Sequence, residues 1–331
     1  MEPDPLRQNS DIENSQLSTA RRAVALPSLL IGGAPKCATS TLFSLLSQHP
    51  QIAASTPKET FFFVDRDYPL QPSGATPFRD GLESYGRFFE EGAVEAGKKL
   101  MDGTTHYLYQ ESARRVLASD AQDCIACFMV RDPAQRMHSS FIFAQQNKTH
   151  IKRKLRFPNY VDCLLDDNME SIRQHFVSDA IYQIFCRELS NSRYIEHLQR
   201  WSESIGRSRL LVCKFEDFVR RPESAVAPVC EKLGVDAFAD FRQYLRKEKP
   251  TVVNRSWYVH RLATATARAL ENHKAIRSRL KWIYRGLQGD RRRSVDTESM
   301  NAIGRLREYF REDNERLAES FGIDYLHSNG C

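Results

Sequence analysis

Lys36 stands in the run Ile31-Gly32-Gly33-Ala34-Pro35-Lys36-Cys37-Ala38-Thr39-Ser40-Thr41. An apolar stretch leads into a glycine-rich turn, then a lysine, then three consecutive hydroxyl residues. This is the composition of a strand, a tight turn and a helix start. Backbone N–H groups at a helix N-terminus attract anions, and the helix dipole adds to the attraction. The ammonium of Lys36 contributes a point charge, and Thr39, Ser40 and Thr41 contribute further donors. The chemistry implied is the cradling of a phosphate, with Pro35, Lys36, Cys37, Ala38, Thr39, Ser40 and Thr41 as the binding segment.

The spacing departs from that of the ordinary P-loop, in which Gly-Lys-Ser/Thr ends the loop. Here the lysine precedes the first threonine by three positions and sits on the turn itself. No residue pattern suited to holding magnesium accompanies it, and no metal is implied.

A second constellation is Arg131-Asp132-Pro133-Ala134-Gln135-Arg136-Met137-His138-Ser139-Ser140. A guanidinium and a hydroxyl, Arg131 and Ser139, suit a second phosphate if the intervening helix turn brings them together. A local ion pair between Arg131 and Asp132 is the alternative reading of the same residues.

Elements must position these groups. Residues 26–31, 124–130 and 209–214 are apolar runs of strand length. The first precedes a short helix with Leu42, Leu45 and Leu46 on one face. The second ends at Pro133, which can open a helix. The third leads into a helix through Leu233, with Gly234 as its stop. Unalternated apolar strands interleaved with helices predict an α/β fold, P-loop-like and three-layered, with a central parallel sheet flanked by helices. Ligands of such sheets lie beyond the carboxyl ends of the strands. Lys36 and Arg131 both fall just past such ends.

The chain of 331 residues, with 41% hydrophobic and 27% charged residues, can bury a substantial core. A net charge of +6 suits an anionic ligand. Dense basic stripes with interleaved aromatics, the mark of a nucleic-acid binder, are missing. No apolar run is long enough for an integral membrane segment, and the first 20 residues lack a signal peptide's apolar centre. The expectation is a cytoplasmic chain with a polar, disordered leader over residues 1–25, one domain over 26–326 and a tail over 327–331. Cys124 and Cys127 have CxxC spacing but fall in a strand-like run, where positions three apart face opposite sides. They are read as buried thiols, not zinc ligands.

Taken together, the two constellations resemble the sulfotransferase superfamily that uses 3′-phosphoadenosine 5′-phosphosulfate (PAPS). The likeness is strongest to the branch containing heparan sulfate sulfotransferase domains and their bacterial relatives. Residues 35–41 look like its 5′-phosphosulfate loop, and Arg131 with Ser139 looks like its 3′-phosphate site. His49-Pro50, Pro57-Lys58-Glu59-Thr60-Phe61-Phe62-Phe63, Met101-Asp102-Gly103-Thr104-Thr105-His106-Tyr107-Leu108, Lys214-Phe215-Glu216-Asp217-Phe218 with Arg221-Pro222, and a last helix from about residue 298 to 321 extend it.

The resemblance implies sulfuryl transfer by in-line displacement, with PAPS leaving as PAP. It implies that Glu59, in a Glu-x-x-Phe-Phe pattern, is the general base and that Lys36 steadies the leaving phosphate. A carboxylate among phenylalanines is expected to be desolvated, and Lys58 would oppose the consequence if it points inward. His106 is the rival base. Two of Phe61, Phe62 and Phe63 are expected in the core. The branch's lysine in its Glu-Lys-Thr/Ser-x-x-Tyr segment is missing here, where Gly103 stands. That departure weakens any carry-over of acidic-polysaccharide specificity. The branch also has a basic loop over the 3′-phosphate near the C-terminus, which assigns one arginine of Arg291-Arg292-Arg293, Arg293, to the cofactor.

The basic stretch 148–156 is read as an attractor for an acidic acceptor or anionic membrane, or as a solvated loop. Tyr194, His197 and Trp201 are read as packing residues. The acceptor expected is a small molecule or glycan: a hydroxyl on a carbohydrate, lipid or secondary metabolite. Two other readings remain: an ATP-dependent small-molecule kinase with an atypical P-loop, and a catalytically silent nucleotide-binding protein.

Overall fold

The computed structural model describes residues 25–71, 76–237 and 295–326. Five strands form one sheet: β1 (Leu29–Gly33), β2 (Ile52–Ala54), β3 (Lys99–Asp102), β4 (Ile125–Val130) and β5 (Leu210–Lys214). Their order is β2-β3-β1-β4-β5 and every pairing is parallel. Every residue of β1 and β4 is buried, as expected for strands covered on both faces.

Among the described residues, the α-helices longer than one turn are α1 (Thr39–Leu46), α2 (Glu111–Ser119), α3 (Pro133–Gln146), α4 (Phe157–Leu165), α5 (Asp179–Cys186), α6 (Glu188–Ser192), α7 (Tyr194–Ile205), α8 (Phe215–Arg220), α9 (Glu223–Leu233), α10 (Thr297–Tyr309) and α11 (Arg311–Phe321). α1 buries Leu42, Leu45 and Leu46, as its spacing predicts. Pro133 is the first residue of α3, and Asp132 caps it by accepting from Gln135 N–H at 3.1 Å. Gly234 ends α9 in the left-handed conformation at φ 63°, which glycine adopts without a Cβ penalty.

The structure corrects several boundaries. β1 starts at Leu29 and runs through Gly33 rather than covering 26–31. The short strands β2 and β3 were not anticipated. Both carry residues such as Ala53, Ala54, Lys99 and Asp102, whose types disfavour strands, and pairing of β3 to β1 and of β2 to β3 holds them there. The helix after β5 is two helices, parted at Arg221-Pro222. The last helix is likewise two, parted at Phe310. Ile303, Leu306, Phe310 and Leu317, which recur at helical spacing, are buried, whereas Met300 is exposed. Tyr194 and Trp201 are core residues, Trp201 packing on Phe128 with ring centroids 5.0 Å apart. The expected leader and tail lie outside the described residues, apart from Ala25.

The topology fixes where a ligand can enter. The chain leaves β1 toward β2 on one side of the sheet and leaves β4 toward β5 on the other. The crevice between these departures lies beyond the carboxyl ends of β1 and β4.

Candidate functional site

The turn between β1 and α1 spans that crevice. Lys36 and Ala38 have positive φ, 70° and 61°, and Cys37 between them does not. Such alternation turns successive N–H groups to one side and forms an anion-binding concavity. α1 has no side-chain cap, so its first N–H groups remain available to an external acceptor. Cys37 faces the core and burial pushes its thiol up to about 12. It contributes backbone to the turn, not a thiolate.

Lys36 extends across the crevice, its ammonium 3.6 Å from the ring centre of Phe143 on α3. Burial, then the charge of Arg131, then that of Lys148 lower it to about 8, against a smaller upward pull from Cys37. Arg131 lies at the exit of β4 and stacks its guanidinium on Phe215, 4.6 Å from the ring centre. Among the described residues, neither Lys36 nor Arg131 makes an ion pair within 4 Å, although the Glu216 carboxylate lies near enough to Arg131 to feel its charge. The Arg131–Asp132 pair does not form: Asp132 binds Arg307 at 2.9 Å instead. Ser139 lies one helical turn before Phe143 on α3, on the same face. The loop exits therefore bring Lys36, Arg131 and Lys148 into one electrostatic neighbourhood, with Ser139 on the helix face that meets Lys36.

The other side of the site is built from residues 57–63 and 102–108. Asp102, fully buried at the end of β3, accepts five hydrogen bonds. They come from Thr60 Oγ1 at 2.6 Å, Thr104 N–H at 2.8 Å, Thr104 Oγ1 at 2.7 Å, Tyr85 at 3.0 Å and Tyr107 at 3.1 Å. Thr104 Oγ1 in turn accepts from the N–H groups of Thr60 and Phe61. The two segments are thus clamped together, and Glu59 is held between them. Phe62 and Phe63 are fully buried, with Phe61 partly so.

The Glu59 carboxylate is not desolvated as its phenylalanine neighbours suggest, because its side chain is 35% exposed. Lys58 does point inward, its ammonium 3.3 Å from Glu59 Oε1. The Thr105 hydroxyl donates to the same oxygen at 2.9 Å. Gly33 ties this side to the turn between β1 and α1. A Cβ there would lie 2.9 Å from both the Thr105 carbonyl oxygen and Leu108 Cβ, so only glycine permits the approach.

His106 is beside Glu59 rather than remote from it. Its Nδ1 is 2.5 Å from the Tyr68 hydroxyl, and its ring contacts Phe61, Tyr68 and Tyr109. Desolvation pulls it down to about 4, against the upward influence of Glu59, so the ring is neutral at pH 7.

Several residues gain a role only from the structure. Phe143, Phe215 and Lys148 surround Lys36 and Arg131, Thr105 and Tyr68 bond the two candidate bases, and Asp102 ties together the segments that carry them. Only contact across the fold reveals them. Arg136, in the same motif as Arg131, faces the core, where it pairs with buried Glu188 and bonds Ser192 at 2.6 Å. In the basic stretch, Ile151 and Leu155 are buried, Lys152, Arg153 and Lys154 are exposed, and Arg156 is 2.8 Å from Glu298. The Arg293 position lies outside the described residues. A separate cavity of about 630 Å³ runs along the free edge of β2, lined by His49, Arg87, Phe88 and Lys98 among others. It contains none of the candidate site residues.

The sequence matches the sulfotransferase domain family over residues 26–312. It is 25% identical over 224 residues to bifunctional heparan sulfate N-deacetylase/N-sulfotransferase 1 of Caenorhabditis elegans, covering 67% of this chain and 24% of that protein. It is 23% identical over 273 residues to carbohydrate sulfotransferase 15 of Homo sapiens, covering 69% and 47%. The chain thus spans about a quarter to a half of the length of these curated relatives. Among solved structures, a sulfotransferase from Alicyclobacillus acidocaldarius superimposes with a TM-score of 0.52 at 24% identity, over 77% of this chain and 96% of that one. That likeness is one of fold.

Proposed function

This chain belongs to the sulfotransferase family and is an enzyme of that class; from this premise we propose that it takes its sulfuryl group from PAPS and passes it to a hydroxyl acceptor. The turn of residues 35–41 holds the 5′-phosphosulfate and Arg131 with Ser139 holds the 3′-phosphate. The observation that carries this reading is the pairing of Lys36 and Arg131. Two cations meet at neighbouring strand exits, neither in an ion pair within 4 Å among the described residues, and Arg131 lowers the lysine toward neutrality. Such a pair is stabilised by a ligand with two separate anionic groups.

The transfer is an in-line displacement that depends on positioning and charge stabilisation. Glu59 takes the acceptor's O–H proton, and the acceptor oxygen forms the new bond to sulfur. The bond from sulfur to the bridging oxygen breaks, and its electron pair goes to the 5′-phosphate of PAP. Lys36 stabilises the charge that develops there. His106 is the lesser candidate as base. Neutral at pH 7, it has a basic nitrogen, but Tyr68 engages Nδ1, leaving only Nε2 for proton transfer.

The acceptor belongs to the carbohydrate or small-molecule hydroxyl class. One relative is named a carbohydrate sulfotransferase, another an N-sulfotransferase of heparan sulfate, whose acceptor is nitrogen on a sugar, and the aromatic rings beside Glu59 suit the apolar face of a sugar or a flat metabolite. The test is PAP release from PAPS, followed chromatographically, with and without a panel of neutral and acidic glycans and phenols. Acceptor-dependent release supports the reading. Turnover of ATP in place of PAPS would replace it with a kinase.

A further inference from the structure

We infer that Lys58 is a positioning residue of the transfer centre: with the Thr105 hydroxyl it pins Glu59 Oε1, leaving Oε2 as the oxygen that receives the acceptor's proton. This rests on the assignment of Glu59 as base in the preceding section.

Both donors reach the same carboxylate oxygen, Lys58 Nζ at 3.3 Å and Thr105 Oγ1 at 2.9 Å. Among the described residues no donor reaches Oε2. An ionised carboxylate accepts at both oxygens, so one is committed to the protein and one is open.

The ammonium is itself fixed. It donates to the Gly103 carbonyl at 2.8 Å, and the Lys58 carbonyl accepts from Gly103 N–H at 3.0 Å and Ser55 Oγ at 2.9 Å. Its side chain is 22% exposed, unlike a surface lysine free to swing away from its neighbour. Gly103 makes the arrangement possible. A Cβ at 103 would lie 2.6 Å from the Phe43 ring and 2.8 Å from Lys58 Cγ. The space beside Glu59 that a side chain at 103 would need is filled by the stem of Lys58. The ammonium on the acceptor side is therefore delivered from position 58.

The experiment measures kcat, the PAPS KM and calorimetric PAP affinity for the wild type, Lys58→Ala and Lys58→Met. Lys58→Ala is expected to lower kcat by about 10- to 100-fold, the size of a small displacement of a reacting group. KM and PAP affinity should change by less than about twofold, because Lys58 does not touch the donor side. Added ethylammonium should restore part of kcat in Lys58→Ala and none in Lys58→Ala/Glu59→Gln. Lys58→Met keeps the stem and removes the charge. It should lose the same kcat, with no rescue by ethylammonium, and it guards against a fold lost by truncation. A Lys58→Met variant with wild-type kcat, or losses confined to PAP affinity, overturns the inference. A wild type that transfers nothing from PAPS overturns the functional reading beneath it.

Discussion

On the proposed reading two residues carry the chemistry, and each has a measurable signature. Glu59→Gln removes the base but keeps the shape. It should lower kcat by about 100-fold or more while leaving PAP affinity unchanged, because its partners Lys58 and Thr105 stand on the acceptor side. Loss of PAP affinity in that variant would make Glu59 a structural group. Lys36 makes a prediction about protons. In the free protein its ammonium is lowered to about 8 from 10.5 by burial and by Arg131. Between these values the unfolded chain binds the extra proton, so this group alone makes stability rise with pH across that window. An anion beside Lys36 reverses the shift, so PAP binding at pH 8 should take up roughly half a proton. Titrations in buffers of different ionisation heat will detect it, and Lys36→Met should abolish it. Lys36 and Arg131 were legible as candidates because each has a residue type and spacing with chemical meaning, whereas Glu59 became a candidate only through the family resemblance. Sequence alone could not reveal that Lys58 turns inward or that Glu59 keeps a third of its surface in water.

At the level of elements, the site depends on loops tied to the ends of strands. Asp102 is the tie between residues 57–63 and 102–108. Replacing it with alanine leaves the hydroxyls of Thr60, Thr104, Tyr85 and Tyr107 without their acceptor in a buried place. The expected cost is about 3–5 kcal/mol, read from the shift of the urea midpoint. A loss below about 1 kcal/mol would show that the loops hold without it. The apolar runs of β1, β4 and β5 and the proline and glycine signals around α3 and α9 were readable from local pattern. β2 and β3 were not, because their residues take strand form only through pairing with a strand distant in sequence. The break at Arg221-Pro222 has a local cause, since proline disfavours helix at the residue before it and Arg221 is extended; the break at the buried Phe310 carries no such signal.

Across the whole molecule, the parallel sheet with β1 at its centre turns two motifs almost a hundred residues apart in sequence into neighbours. Their positive charges repel in the free protein, and a ligand with two anionic groups relieves that repulsion. Saturating PAP should therefore raise the melting temperature, with a stabilisation of about 2.7 kcal/mol at one hundred times Kd. The most direct measurement is a magnesium-free calorimetric cycle of PAP and 5′-AMP against wild type and Arg131→Ala. If the two turns grip one nucleotide, deleting the ligand's 3′-phosphate and deleting the guanidinium cost about the same, and doing both costs no more than either. Failure of the wild type to bind PAP at millimolar concentration, or an Arg131→Ala loss equal for PAP and 5′-AMP, would contradict the account.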